Sequence, residues 1–187
     1  MKKKVLALVL AMVLVVVGVA AGTLAWLTAK SDTVTNTFTT SDIKVELKET
    51  KNNFKMIPGY DIQKDPKATV LAGSEECFLF VKLEKSANFD EFMTYKMADG
   101  WTALTGVDGV YYRKVRTADI DKPFSVLKDD KVTVKGIVTK DMMNAIDNGT
   151  AANPTLTITA YASQLHKTAT IEFTAAEAWA NVNPTNP

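Results

Sequence analysis

Cys77-Phe78-Leu79-Phe80-Val81-Lys82-Leu83-Glu84 is the stretch from which the fold is read. Side chains of an extended chain alternate between faces, so Cys77, Leu79, Val81 and Leu83 share one face and Phe78 and Phe80 the other. A strand with one wet face would carry polar residues on the second. This one is apolar on both through its first half, and a central strand is expected.

Shorter segments flank it. Ile43, Val45 and Leu47 alternate with Lys44, Glu46 and Lys48, the pattern of a half-buried strand. Met56-Ile-Pro-Gly-Tyr60 reads as a turn, with Pro58 presetting φ and Gly59 free to take positive φ. Lys67 to Leu71 is a further strand, ended by Ala72-Gly-Ser74. Val110 to Val115, Ser125 to Lys128 and Lys131 to Ile137 add three, the last two joined by Asp129-Asp130. Thr155 to Ser163 sets Leu156, Ile158, Ala160 and Ala162 against Thr157, Thr159, Tyr161 and Ser163, the cleanest alternation in the chain. Thr139 can cap a helix over Lys140 to Asp147, stopped by Asn148-Gly149, and Thr174-Ala-Ala-Glu177 is a capping box opening Ala175 to Asn181. Phe89 to Met97 is ambiguous between helix and strand. Seven or eight short strands with turns between them predict an all-β antiparallel β-sandwich with short helical inserts. Ile43, Val45, Leu47, Leu79, Val81, Leu83, Leu156 and Ile158 are expected to face its core.

The 187 residues suit one domain plus a short extra segment. That segment is the N-terminus. Lys2, Lys3 and Lys4 precede an apolar run of about 17 residues from Val5 to Ala21, the make-up of a secretory signal peptide near the lower limit for spanning a bilayer. Thr23-Leu-Ala25 is a small-x-small exit, which places cleavage between Ala25 and Trp26. The expected organisation is a signal-peptide helix over 1–25, an N-terminal arm over 26–40, a sandwich over 41–180 and a frayed tail over 181–187. The product is expected to be secreted, touching membrane only through the uncleaved signal peptide. No lipoprotein cysteine stands at the cleavage point and no sorting motif ends the chain.

The whole chain carries 22 Lys and Arg against 21 Asp and Glu. Without the three N-terminal lysines the net charge becomes about −2, with no block of one sign. Such a chain lacks the basic field that nucleic-acid binding needs. One cysteine and one histidine exclude an internal disulfide, a cysteine-rich metal site and the common His-based zinc constellations. No Gly-x-Ser-x-Gly elbow, phosphate loop, dinucleotide turn or calcium loop is present. Neither catalytic, metal nor cofactor residues are therefore assigned. His166 reads as a solvated loop residue and Cys77 as an inert buried side chain, an intermolecular disulfide being the rival. The adjacent carboxylates Glu75-Glu76, Asp90-Glu91 and Asp129-Asp130 are not placed by spacing as acid/base pairs. Trp101, Trp179 and Tyr112 could line a sugar-binding surface, or serve as aromatic core.

Several segments together resemble the exported TasA/camelysin family: Gly22-Thr-Leu-Ala-Trp-Leu-Thr28, Asn36-Thr-Phe-Thr39 and Ile43-Lys-Val-Glu-Leu-Lys-Glu49. Pro58-Gly59, Lys64-Asp-Pro66 and Glu76-Cys-Phe-Leu-Phe-Val-Lys82 fit the same pattern, as do Ile158-Thr-Ala-Tyr-Ala-Ser-Gln164 and Ala176-Glu-Ala-Trp179. The resemblance implies a jelly-roll-like sandwich, export through a signal peptidase of the SipW type, and fibres in a Gram-positive biofilm matrix. Its partner would be itself, head to tail, or a related fibre subunit. In such fibres the N-terminal segment is lent as a strand to the neighbour. Residues 26–40 suit this, with Trp26, Leu27, Ala29 and Val34 among Thr and Ser and no Gly or Pro. Lending and pairing within the same subunit both remain open for residues 26–35. The alternatives are a monomeric surface module that binds polysaccharide or a host protein, using Trp101 and Tyr111-Tyr112, and a secreted metallopeptidase of camelysin type. The missing zinc ligands weigh against the last.

Overall fold

The computed structural model describes residues 42–51 and 54–183. In chain order the strands are β1 (Val45–Lys48), β2 (Asp61–Gln63), β3 (Lys67–Val70), β4 (Cys77–Lys85), β5 (Met93–Thr94) and β6 (Thr102–Ala103), followed by β7 (Val110–Val115), β8 (Phe124–Ser125), β9 (Lys131–Val134), β10 (Leu156–Gln164), β11 (His166–Thr168) and β12 (Ile171–Glu172). The helices are α1 (Phe89–Phe92), α2 (Lys140–Asp147) and α3 (Ala175–Val182). Every strand pair is antiparallel, in four sheets ordered β10-β4-β7-β6, β1-β3-β8, β2-β9-β5 and β11-β12.

The double-faced segment is central, as its apolar residues demand. β4 lies between β10 and β7 and separates two cores. Cys77, Leu79, Val81 and Leu83 enter the larger core with Val115 of β7, Ala68 and Val70 of β3, and Val132 and Val134 of β9. Phe78 and Phe80 enter the smaller one with Leu104, Val110, Leu165 and Trp179. The two three-stranded sheets thus cover one face of the four-stranded sheet and α3 covers the other. Sequence reading placed the inward aliphatics in a single core. Leu79, Val81 and Leu83 are buried there, while Ile43, Val45, Leu47, Leu156 and Ile158 pack against it half-buried. The second core is what the simple sandwich expectation missed.

The remaining differences from expectation are local. The Ser125–Lys128 segment is a strand only at Phe124–Ser125, because Lys128–Asp130 is a 3-10 turn with Asp129 and Asp130 at φ 56 and 50. Asp tolerates that left-handed region better than most residues. Lys131–Ile137 stops pairing at Val134, where a turn closes with Val138 N–H donating to Lys135 O. Phe89–Met97 divides into one helical turn and β5, since Met93 is extended at ψ 162. Both longer helices start at their expected caps: Thr139 accepts from Met142 N–H, and Thr174 and Glu177 cap each other's backbone.

The ladders give this unit two ends. The described residues begin at Asp42, whose carbonyl accepts from Glu75 N–H, beside Lys44 O bonded to Leu71 N–H. β4 begins at this near end and β10 finishes there, Cys77 facing Gln164. At the far end Lys85 faces Leu156, Val134 N–H donates to Tyr60 O, and Lys135 N–H donates to Phe92 O. The continuous run from Tyr60 through β2 and β3 to Leu71 connects the two.

Candidate functional site

The least completed part of the described residues is a seam between β1 and β10. Among the described residues β10 is an edge strand whose ladder partner is β4, and β1 is an edge strand whose ladder partner is β3. Cα atoms of β1 and β10 approach within 8 Å, yet no ladder joins them among the described residues. β1 runs from near end to far end and β10 runs back. Leu156, Ile158, Ala160 and Ala162 line one wall, and Ile43, Val45 and Leu47 the other, all half-buried. Thr157, Thr159 and Tyr161 turn to the opposite face, where Tyr161 meets the Trp179 ring edge-on at 5.2 Å. Period-two alternation built this wall, and the two alanines leave it shallow towards the near end.

Each end of the seam opens into a hollow. At the far end a pocket of about 370 Å³ is lined by Phe54, Met56, Phe89, Met93, Pro154 and Leu156. Lys64 stands in its wall, with its ammonium 2.8 and 2.9 Å from the Glu49 carboxylate and 5.5 Å from the Phe54 ring centroid. The pair neutralises a cation that is nearly buried, which an apolar wall requires. At the near end Ile43, Ala162, Phe173 and Val182 border a second, more open hollow.

The polar candidates are committed to structure. His166 lies on β11, not in a loop, and its Nε2 is 3.2 Å from Glu76 Oε2. Glu76 also accepts from Thr117 N–H at 3.0 Å and from Arg116 at 3.1 Å. The Thr117 N–H, then His166 and Arg116, bring its carboxyl down to about 2. Lys114 and Arg116 hold the Glu172 carboxyl below its ordinary range as well. This network fastens the β11–β12 hairpin to the near ends of β4 and β7 and leaves Glu76 no proton to exchange near neutrality. Cys77 is fully buried and burial pushes its thiol up to about 12, so it is an unreactive core side chain. Among the described residues no group of three His, Cys, Asp or Glu side chains could hold a metal ion. No described helix is long and apolar enough to cross a membrane.

Of the aromatic candidates, Trp179 and Tyr112 belong to the smaller core, Trp179 lying 5.2 Å from Phe80. Tyr111 packs against the larger core, so the Tyr111-Tyr112 pair faces two ways. Trp101 is half-buried, its indole N–H bonded to Ser125 O at 2.8 Å, beside Arg113. The cleavage pair Ala25 and Trp26 and the arm residues Leu27, Ala29 and Val34 lie outside the described residues. Sequence reading missed the seam itself. Alternation marks β10 as a strand, but edge position depends on partners far away in the chain. Comparison with protein-family models, curated proteins and solved structures gives no match.

Proposed function

We propose that the protein is a secreted structural subunit of TasA/camelysin type, a jelly-roll-like sandwich that assembles into extracellular matrix fibres of a Gram-positive biofilm, with a related subunit as the other partner it could accept. The supporting observation is the seam, two edge strands side by side with apolar half-buried walls and no ladder between them among the described residues. A nine-residue strand edge offers backbone N–H and C=O groups over about 30 Å. An added strand pairs with the β10 edge, and β1, whose Cα atoms come within 8 Å of β10 where a strand laid between two others needs about 10 Å, has to move aside for it. Residues 26–40 are the donor. After processing between Ala25 and Trp26 by a SipW-type peptidase they form the new N-terminus, and fully extended they reach about 50 Å.

Direction separates the two ways the donor can act. The arm joins the domain at the near end, at Asp42. An arm folded back onto its own seam runs parallel to β10. An arm reaching straight into the far end of the next copy runs antiparallel to the nine-residue edge of β10, the better pairing, and parallel only to the shorter, four-residue β1. We assign the second arrangement, which is heterologous and propagates as an open filament. Electron microscopy of the mature protein with and without residues Trp26 to Thr35 tests it. Filaments are expected from the intact chain and folded monomers from the deletion. Filaments formed equally by both would refute the donor role.

One observation favours a second reading, a surface module for an acidic polysaccharide. Arg113 stacks 3.7 Å from the Phe124 ring and 5.5 Å from Trp101, and among the described residues its nearest carboxylate influence is Asp119, beyond ion-pair distance. Binding of an oligouronate that is lost in Arg113→Gln, with no filaments in any condition, would favour that reading.

A further inference from the structure

Four large apolar side chains are strongly exposed among the described residues, and three of them gather at the far end. Ile57 and Tyr60 flank the Pro58-Gly59 turn at 55% and 66% exposure, and Ile137 stands at 73% in the turn after β9. The two turns are joined through Val134, whose carbonyl accepts from Gly59 N–H at 3.1 Å and whose N–H donates to Tyr60 O at 2.9 Å. Solvent gives no reason for a cluster of this kind, and such clusters mark contact surfaces.

We infer that Ile57, Tyr60 and Ile137 form a collar that receives the near end of a second copy of this chain. The inference rests on the fibre reading and names the surface the subunits share beyond the arm. Three observations point to a second copy. The collar lies at the end opposite Asp42, to which residues 26–40 connect through the chain, so the donor of the fibre reading and the apolar surface belong to opposite ends. The collar is continuous with the seam: Met56, next to Ile57, lines the far-end pocket together with Leu156. The lengths agree as well. About 50 Å of extended arm, laid along about 30 Å of β10, leaves some six residues to cross between subunits, which limits the gap between the near end of one and the collar of the next to about 20 Å. Three side chains fall short of the roughly 800 Å² per partner of a stable contact, and the arm supplies the rest.

The test is the triple variant Ile57→Ser, Tyr60→Ser, Ile137→Ser in the full mature chain, with circular dichroism to confirm folding. All three side chains are exposed, so the fold should persist while the concentration needed for filaments rises at least ten-fold. In a second measurement, Ile137→Cys and Glu75→Cys are combined in one chain and oxidised after assembly. Buried Cys77 stays silent, and a covalent ladder between copies is expected. If the parent chain forms filaments and the triple variant does so at the same concentration without a ladder from the cysteine pair, the collar is refuted while the fibre reading stands. If the parent chain forms none, both fall together.

Discussion

Gly109 meets β4 more closely than a side chain allows. Its carbonyl accepts from Leu83 N–H at 2.8 Å, its φ is +72, and a Cβ there would sit 2.4 Å from Leu83 O. Gly59 has a similar φ of +80 with nothing within 4 Å. Gly59→Ala should therefore cost only the left-handed penalty, about 1–2 kcal/mol, and Gly109→Ala clearly more, because backbone must shift as well. Urea unfolding of both variants measures the difference, and equal losses would contradict this account. A second expectation at this scale concerns acid. Glu76 is held at about 2 by Thr117 N–H, His166 and Arg116, and Glu177 at about 2 by Lys167 and the Thr174 backbone. Both carboxyls are depressed, so their stabilisation is complete above their ordinary 4.5 and is lost as pH falls towards 2. The melting temperature should fall across that window, and Glu76→Gln with Glu177→Gln should flatten the fall. An unchanged slope would show that neither carboxylate carries the linkage.

At the scale of elements, α3 is more than an insert. Its Trp179 packs on Phe80 and Tyr161 and closes the core behind β4. Trp179→Ala should cost about 3–5 kcal/mol, in the range of large-to-small aromatic changes in cores. A loss below 1 kcal/mol by chemical denaturation would mean that the second core is not cooperative with the first. Elements whose cause is local were legible in the sequence. β4 and β10 follow from alternation, and α2 and α3 from Thr139, Thr174 and the stop at Gly149, whose φ is 73. The short pieces β2, β6, β11 and β12 were not legible, because two or three residues carry no periodicity. The limits of β8 and β9 were hidden by left-handed Asp129 and Asp130 and by the turn after Val134. Within the candidate site the hydrophobic walls could be read, since Leu156, Ile158 and Val45 announce themselves by spacing. That β1 and β10 are neighbouring edges could not be read. Pairing partners are set by contacts across the whole chain, and a strand sequence does not encode which of its edges stays open.

For the whole molecule, the central claim is that the arm of one copy closes the seam of the next, antiparallel to β10. The two ends of the domain turn this into a question of position. A lent arm enters at Leu156 and, with some six residues spent on the crossing, places residues 26 to 28 alongside Ala162 to Gln164. An arm folded back on its own subunit reaches the Leu156 end by about residue 31 and carries Leu27 beyond it. Paired cysteines distinguish the two, with the buried thiol of Cys77 taking no part. The decisive measurement is disulfide formation in assembled Leu27→Cys, Ala162→Cys protein, with Trp26→Cys, Ala162→Cys covering the other parity. The account predicts a ladder of covalently linked chains from one of these pairs. Cross-linking confined to single chains, or assembled filaments that give no ladder with either pair, would contradict it.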